Sequence, residues 1–169
     1  MKKVFVLVMA MLVWGCQENE SSNKANDLTG NQSVYALQPG SQYAISGTVT
    51  FKEKKDGTAQ VFVELTGTDG NTLLPVHLHR GNTAVDGAAV AALLNPVTAS
   101  SGISETHLTK LSDESSITYN QLITLEACIK VHLSSSGPEQ DIVLAGGNIG
   151  KAATEASNGR IGVATCDSK

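Results

Sequence analysis

The chain has 169 residues, of which 41% are apolar and 17% are charged, and its formal net charge is −4. This length is enough for one folded domain with a single core. Because the charge is negative and no cluster of basic residues occurs, the composition argues against a protein that binds nucleic acid.

The first 15 residues have the features of an export signal. Lys2 and Lys3 precede the apolar run VFVLVMAMLV, which is too short to span a bilayer as a stable helix. The run leads to Gly15 and Cys16, which resemble the lipobox of bacterial lipoprotein signal peptides, and this resemblance implies cleavage before Cys16 and lipid attachment to it. An ordinary secretory signal that is cut elsewhere is the alternative. The lipoprotein interpretation predicts an extracytoplasmic protein of the bacterial cell envelope, anchored to the membrane by its N-terminal lipid.

Residues 16–34 are predicted to form a flexible polar tether, and residues 35–169 one domain. The tether is rich in Asn and Ser, and Leu28 is its one large apolar residue between Gln17 and Ser33. Such a segment cannot bury enough surface to offset the entropy lost on ordering it.

Two cysteines follow in the domain. Cys128 and Cys166 are an even pair in an exported and therefore oxidising setting, which favours a disulfide between them. Two buried thiols are the alternative.

Apolar and polar residues alternate along most of the domain, which is the period of half-buried strands. The positions predicted to face inward in the first two such segments are Tyr43, Ile45, Val49, Phe51, Val61, Val63 and Leu65. Asp56-Gly57 between these segments is a hairpin signal, and DIVLAGG and RIGVATC have the composition of later strands. The one helix-like segment is DGAAVAALL, residues 86–94, for which a short turn within a long loop is the alternative. Short strands separated by turn signals predict an all-β fold, an antiparallel Greek-key β-sandwich or flattened barrel.

The stretch PVHLHRGN contains two of the four histidines of the chain. If Val76 and Leu78 face inward, His77 and His79 share the outer face of one strand, about 6–7 Å apart. In ACIKVHL the same alternation turns His132 outward. A His-x-His strand alone favours exposed or hydrogen-bonded histidines over a metal site. A third outward histidine favours a metal that imidazole binds well, such as copper or zinc.

Several segments together resemble the copper–zinc superoxide dismutases in order and in most spacings. They are ISGTVTF, DGTAQVFVELTG, VHLHRGNTA, LLNP, THLTKLSD, IKVHLSSSG, GGN and NGRIGVATC, and they cover nearly all of the chain after about Ile45. The resemblance implies a dismutase-like fold with superoxide as the substrate. It implies that His77, His79 and His132 match three copper ligands, and that Arg160 matches the catalytic arginine that guides the superoxide anion to copper.

The chain also departs from that family. Leu93 occupies the position of the histidine that bridges copper and zinc, and Lys110 replaces the zinc aspartate. His107 matches a zinc-ligand histidine and is a further candidate ligand for copper, whereas the remaining zinc histidine has no counterpart. Because a cation beside the cavity opposes zinc binding, we expect copper without zinc. The family's disulfide is missing as well, so a Cys128–Cys166 bond would be specific to this chain.

The middle of the chain also resembles the CHRD domain, through its His-x-His strand, its later VH strand and the segment DIVLAGGNIG. That resemblance implies a non-catalytic binding or structural module. The tail NGRIGVATC fits the dismutase resemblance better. The sequence thus leaves two functions open, a copper-dependent dismutase and a surface lipoprotein without catalysis. It does not identify a protein partner for either.

Overall fold

Antiparallel strands close into one barrel in the part of the chain that the computed structural model describes, residues 27–85 and 87–154. The strands are β1 (Leu28–Pro39), β2 (Ser46–Lys54), β3 (Ala59–Thr66), β4 (Leu73–Arg80), β5 (Val90–Thr98), β6 (Ile103–Leu108), β7 (Glu126–His132) and β8 (Val143–Ile149). Two short helices, α1 (Tyr119–Leu122) and α2 (Gly150–Thr154), complete the described elements. No helix among these residues has the length and apolar character needed to cross a membrane.

The strands follow one another around the barrel in the order β1-β2-β3-β6-β5-β4-β7-β8. Strand β7 comes after β6 in the chain but pairs with β4, so β4 to β7 have the connectivity of a Greek key. Strand β8 pairs with β1 and closes the barrel. The predicted all-β antiparallel fold is confirmed.

The interior of the barrel is filled by the inward members of the alternating pattern. Val76, Leu78, Ile129 and Val131 are all 0% exposed, as predicted for the two strands that carry the histidines. The predicted inward positions of β2 and β3 are buried too, with the exception of Tyr43, which precedes β2 and is exposed. The core thus fixes which face of β4 and β7 carries the polar side chains.

Strand β1 extends into the segment predicted to be a tether. Its backbone pairs with β2 from Leu28 to Leu37, and Tyr35 and Leu37 are buried. The polar composition alone does not offset the entropy lost on ordering this segment. The ladder of backbone hydrogen bonds and the burial of Tyr35 and Leu37 together offset it. Residues 28–34 therefore belong to the barrel rather than to the tether predicted for residues 16–34.

The helix-like interpretation of residues 86–94 is wrong, because most of that segment belongs to strand β5. Ala91 and Ala92 are buried, whereas Leu93 is 69% exposed and lies opposite His77 of β4. A short run of apolar residues does not distinguish a buried strand from a buried helix, and here pairing with β4 decides. Asp86 lies outside the described residues.

Cys128 is buried and has no disulfide partner among the described residues. Its predicted partner Cys166 lies outside them, as do Cys16 and Arg160. The disulfide, the lipid attachment and the anion-guiding arginine therefore stay predictions.

Candidate metal centre

Pairing between β4 and β7 brings three histidines together on the outer face of the barrel. Lys130 lies opposite His77, and Cys128 lies opposite His79. His132 comes two residues after Lys130, next to an irregularity in the pairing of β7 with β8. Alternation along both strands turns all three imidazoles away from the core.

The three rings form a compact triangle. Their centroids are 4.8 Å apart for His77 and His132, 5.7 Å for His77 and His79, and 5.9 Å for His79 and His132. One ring nitrogen from each histidine lies within 4.8 Å of the other two. The predicted convergence is confirmed, and the three histidines are close enough to hold one metal ion.

Backbone carbonyl groups fix the tautomers of two of these histidines. Nδ1 of His79 lies 2.8 Å from the carbonyl oxygen of Ala88, and Nδ1 of His132 lies 2.8 Å from that of Gln140. A carbonyl can only accept, so Nδ1 carries the proton in both rings and the lone pair is left on Nε2. Metal-binding histidines are oriented by this kind of second hydrogen bond.

The Nε2 atoms of His79 and His132 are buried and have no hydrogen-bond partner. Most buried polar side-chain atoms in proteins are paired, because an unpaired one carries its full desolvation cost. Two unpaired acceptors on neighbouring strands, each belonging to the same histidine cluster, fit a cation between them.

The surroundings keep the three imidazoles neutral. Burial, together with the nearby His132 and His79, lowers the pKa of His77 to about 4. Burial is also the main cause that lowers the pKa of His79 and of His132, and the charge of Lys130 lowers both further. The hydrogen bonds to their carbonyl partners raise the two pKa values, but by less. Neutral imidazole is the form that binds metal, so the site needs no deprotonation at neutral pH.

The donor set consists of imidazole alone. Although Cys128 lies opposite His79, neither its thiol nor a carboxylate of residues 27–85 or 87–154 joins the cluster. Three nitrogen ligands suit copper or zinc and leave a coordination position open for another molecule. The half-buried ring of His77 and the exposed side chain of Leu93 opposite it mark the side of the cluster nearest solvent.

The structure does not bring His107 to this cluster. His107 lies on β6, which β5 separates from β4, and its Nε2 is 2.8 Å from Oγ1 of Thr58. Lys110, at the position of the expected zinc carboxylate, forms an exposed ion pair with Glu114 at 3.1 Å. The idea that His107 completes the copper site therefore finds no support in the geometry.

Sequence reasoning missed three groups around the cluster. The carbonyl oxygens of Ala88 and Gln140 carry no side-chain signal, so only the course of their loops shows that they orient His79 and His132. Alternation in the sequence predicts that Lys130 faces outward, but its position opposite His77 depends on the register of β7 with β4.

When the chain is compared with models of protein families, with curated proteins and with solved structures, none of the three comparisons gives a significant match. The interpretation of the site therefore depends on its own geometry and on the resemblances described above.

Proposed function

We propose that this protein is an exported lipoprotein whose barrel binds one copper ion through His77, His79 and His132. The observation that carries the proposal is the pair of buried Nε2 atoms, on His79 and His132, that lack any hydrogen-bond partner. Copper is favoured over zinc because the same nitrogen ligands bind Cu²⁺ more tightly in the Irving–Williams order. The ion pair between Lys110 and Glu114 at the expected zinc position agrees with a site for a single metal.

The activity that the family resemblance implies is the dismutation of superoxide. Copper would supply one-electron chemistry, with superoxide oxidised in one half of the cycle and reduced in the other. The three histidines would hold the metal with a position open to the anion. Lys130, opposite His77, and the predicted Arg160 would contribute positive charge that attracts a small anion.

A second candidate is a non-catalytic CHRD-like surface binding or structural module, which binds copper weakly or not at all. The observation that favours it is Leu93, which lies directly opposite His77 where the dismutase resemblance would require a bridging histidine. A leucine can neither ligate a metal nor transfer a proton. The two candidates share the barrel and the histidine cluster and differ in whether superoxide is consumed.

Metal analysis and a superoxide assay test the proposal in sequence. After incubation with equal amounts of Cu(II) and Zn(II) together and removal of free metal, we expect about one copper and little zinc per chain, with copper lost in His79→Ala. His107→Ala is the matched control and should keep its copper. Finding no copper in the wild-type protein would reject the copper site and the dismutase, and would leave the non-catalytic module.

Superoxide consumption by the copper-loaded protein then separates the two candidates. A dismutase should lose rate on Arg160→Ala, and this effect should shrink as salt is raised, because screening weakens long-range attraction. A copper-loaded protein that consumes no superoxide would instead be the non-catalytic module.

A further inference from the structure

A cavity of about 330 Å³ lies beside the histidine cluster, on the outer surface of strands β1, β7 and β8. One row of cross-strand neighbours leads into it: His77 lies opposite Lys130, Lys130 opposite Gly146, and Gly146 opposite Gln38. Since Gly146 has no side chain, the row is interrupted between Lys130 and Gln38. The absence of a side chain at Gly146 leaves part of the cavity open.

The charge of this cavity is positive. Lys130 lines it together with the polar side chains of Gln38, Thr83 and Asn148, and no carboxylate is among the described residues that line it. Lys130 donates one hydrogen bond, to the carbonyl oxygen of Val85 at 3.3 Å, so two of its three N–H groups are left for a ligand. No ion pair joins it to a carboxylate of residues 27–85 or 87–154.

The loop above the cavity is held in place by the sheet beneath it. The backbone N–H of Thr83 donates to Oδ1 of Asn148 at 2.8 Å, and Asn148 is only 2% exposed. Together with the bond from Lys130 to Val85, this contact fixes the near end of the loop over β7 and β8. The cavity is therefore already formed before any ligand arrives, which lowers the cost of binding.

The remaining wall is apolar and includes Ala36, Pro39 and Val143. A volume of this size is at the lower end of the range for small-molecule sites. We propose that the cavity binds a small organic carboxylate, whose charge pairs with Lys130 and whose carbon atoms contact the apolar wall. An inorganic oxyanion would leave that wall without a partner. The cavity shares Lys130 with the surroundings of the metal centre, but none of the three histidines lines it, so carboxylate binding does not require a bound metal.

Titration of the metal-free protein with propionate, followed by amide ¹H–¹⁵N spectra, tests this site. We expect saturable shifts at Thr83, Gly146 and Asn148, with a dissociation constant on the order of 1–10 mM. Lys130→Met should weaken binding about fivefold, as expected for the loss of one partly exposed ion pair. Lys110→Met is the matched control, because Lys110 is exposed and pairs with Glu114, and it should bind like wild type.

A second variant tests the cavity rather than the charge. A Cβ at position 146 would lie 3.3 Å from the carbonyl oxygen of Ile129 and 3.7 Å from Cγ2 of Thr83, so Gly146→Ala fits tightly and fills part of the gap. It should also weaken propionate binding. Wild-type affinity in both Lys130→Met and Gly146→Ala would overturn the proposal.

Other ligands test the chemical class. Propanol, which has the carbon atoms without the charge, should give no saturable shift, and inorganic phosphate should bind more weakly than propionate. Phosphate binding at least as tightly, or no saturation by propionate up to about 100 mM, would overturn the carboxylate assignment. Because every measurement uses the metal-free protein, failure here is distinguishable from failure of copper binding.

Discussion

The imidazoles of His77 and His132 lie with ring centroids 4.8 Å apart on the neighbouring strands β4 and β7. Burial is the main reason that a proton on His77 is unfavourable, and the nearby His132 and His79 add to it, so that the pKa of His77 is lowered to about 4. The geometry that repels a second proton also brings two nitrogen lone pairs within reach of one metal ion. The clustering of the histidines therefore contributes both to the low proton affinity of His77 and to the capacity for metal.

The first prediction concerns pH. The pKa of His77 is about 4 in the folded protein and about 6.5 in the unfolded chain, so between these values the unfolded chain binds more protons. The stability of the metal-free protein should therefore be fully present above about pH 6.5 and fall as the pH is lowered towards 4. The lowered pKa values of His79 and His132 act in the same direction.

Urea unfolding midpoints of the metal-free protein at about pH 7.5 and 4.5 measure this effect. His77→Gln should show a smaller loss of stability on acidification than wild type. His107→Gln, which changes an exposed histidine on β6, should retain the wild-type loss. An identical pH dependence in His77→Gln and wild type would contradict the account.

The second prediction concerns the residue between the two histidines of β4. Leu78 is 0% exposed, so Leu78→Ala should leave a cavity in the barrel and cost about 2–5 kcal/mol in the free energy of unfolding. Leu93→Ala is the matched control on β5. Because Leu93 is 69% exposed, its loss should change stability by no more than about 0.5 kcal/mol. Equal costs for the two variants in urea denaturation would show that the assigned inward face of β4 is wrong.

The third prediction adds a ligand instead of removing one. Leu93 lies opposite His77 and is exposed, so Leu93→His places a fourth imidazole beside the cluster with little effect on the core. We expect the affinity for Cu(II) to rise by about tenfold or more, equivalent to about 1.4 kcal/mol. Competition with a chelator of known affinity measures the change. Asn95→His is the control on the same strand and should leave the affinity unchanged, because the side chain of Asn95 contacts β6, where its Nδ2 donates to the carbonyl oxygen of Glu105 at 2.7 Å.

The fourth prediction concerns the N-terminus. Because Gly15 and Cys16 end the apolar run, Cys16→Ser should release the protein from membranes or stall its processing. Fractionation of cells that express either form, followed by detection of the barrel domain, measures the distribution. A Cys16→Ser protein that matures normally and stays in the membrane fraction at wild-type levels would argue against the lipid anchor.

The sequence carried more information about the histidines than about the ends of the barrel. Alternation around Val76 and Leu78 was sufficient to put His77 and His79 on one face, because the strand period admits only two faces. Strand β1 was missed, since its polar residues gave no apolar pattern and its order comes from pairing with β2. Strand β5 was misread because Ala91 and Ala92 have no strand preference of their own and are fixed by their neighbours in the sheet.

The hydrogen bonds that orient the histidine cluster could not be predicted from the sequence. The carbonyl oxygens of Ala88 and Gln140 reach the histidines only because the loops after β4 and β7 fold back over the outer face. Neither contact depends on the identity of the side chain that supplies the carbonyl. For the same reason, the cavity beside Lys130 depends on the registers of β7 with β4 and of β8 with β7 rather than on any motif.

Anomalous diffraction at the copper absorption edge, from crystals grown with one equivalent of Cu(II), shows where the barrel binds copper. The account predicts a single strong peak about 2 Å from Nε2 of His79, from Nε2 of His132 and from a ring nitrogen of His77. It also predicts no peak beside His107 or Lys110. A peak elsewhere on the barrel, or three imidazoles without a peak in protein that has bound copper, would contradict it.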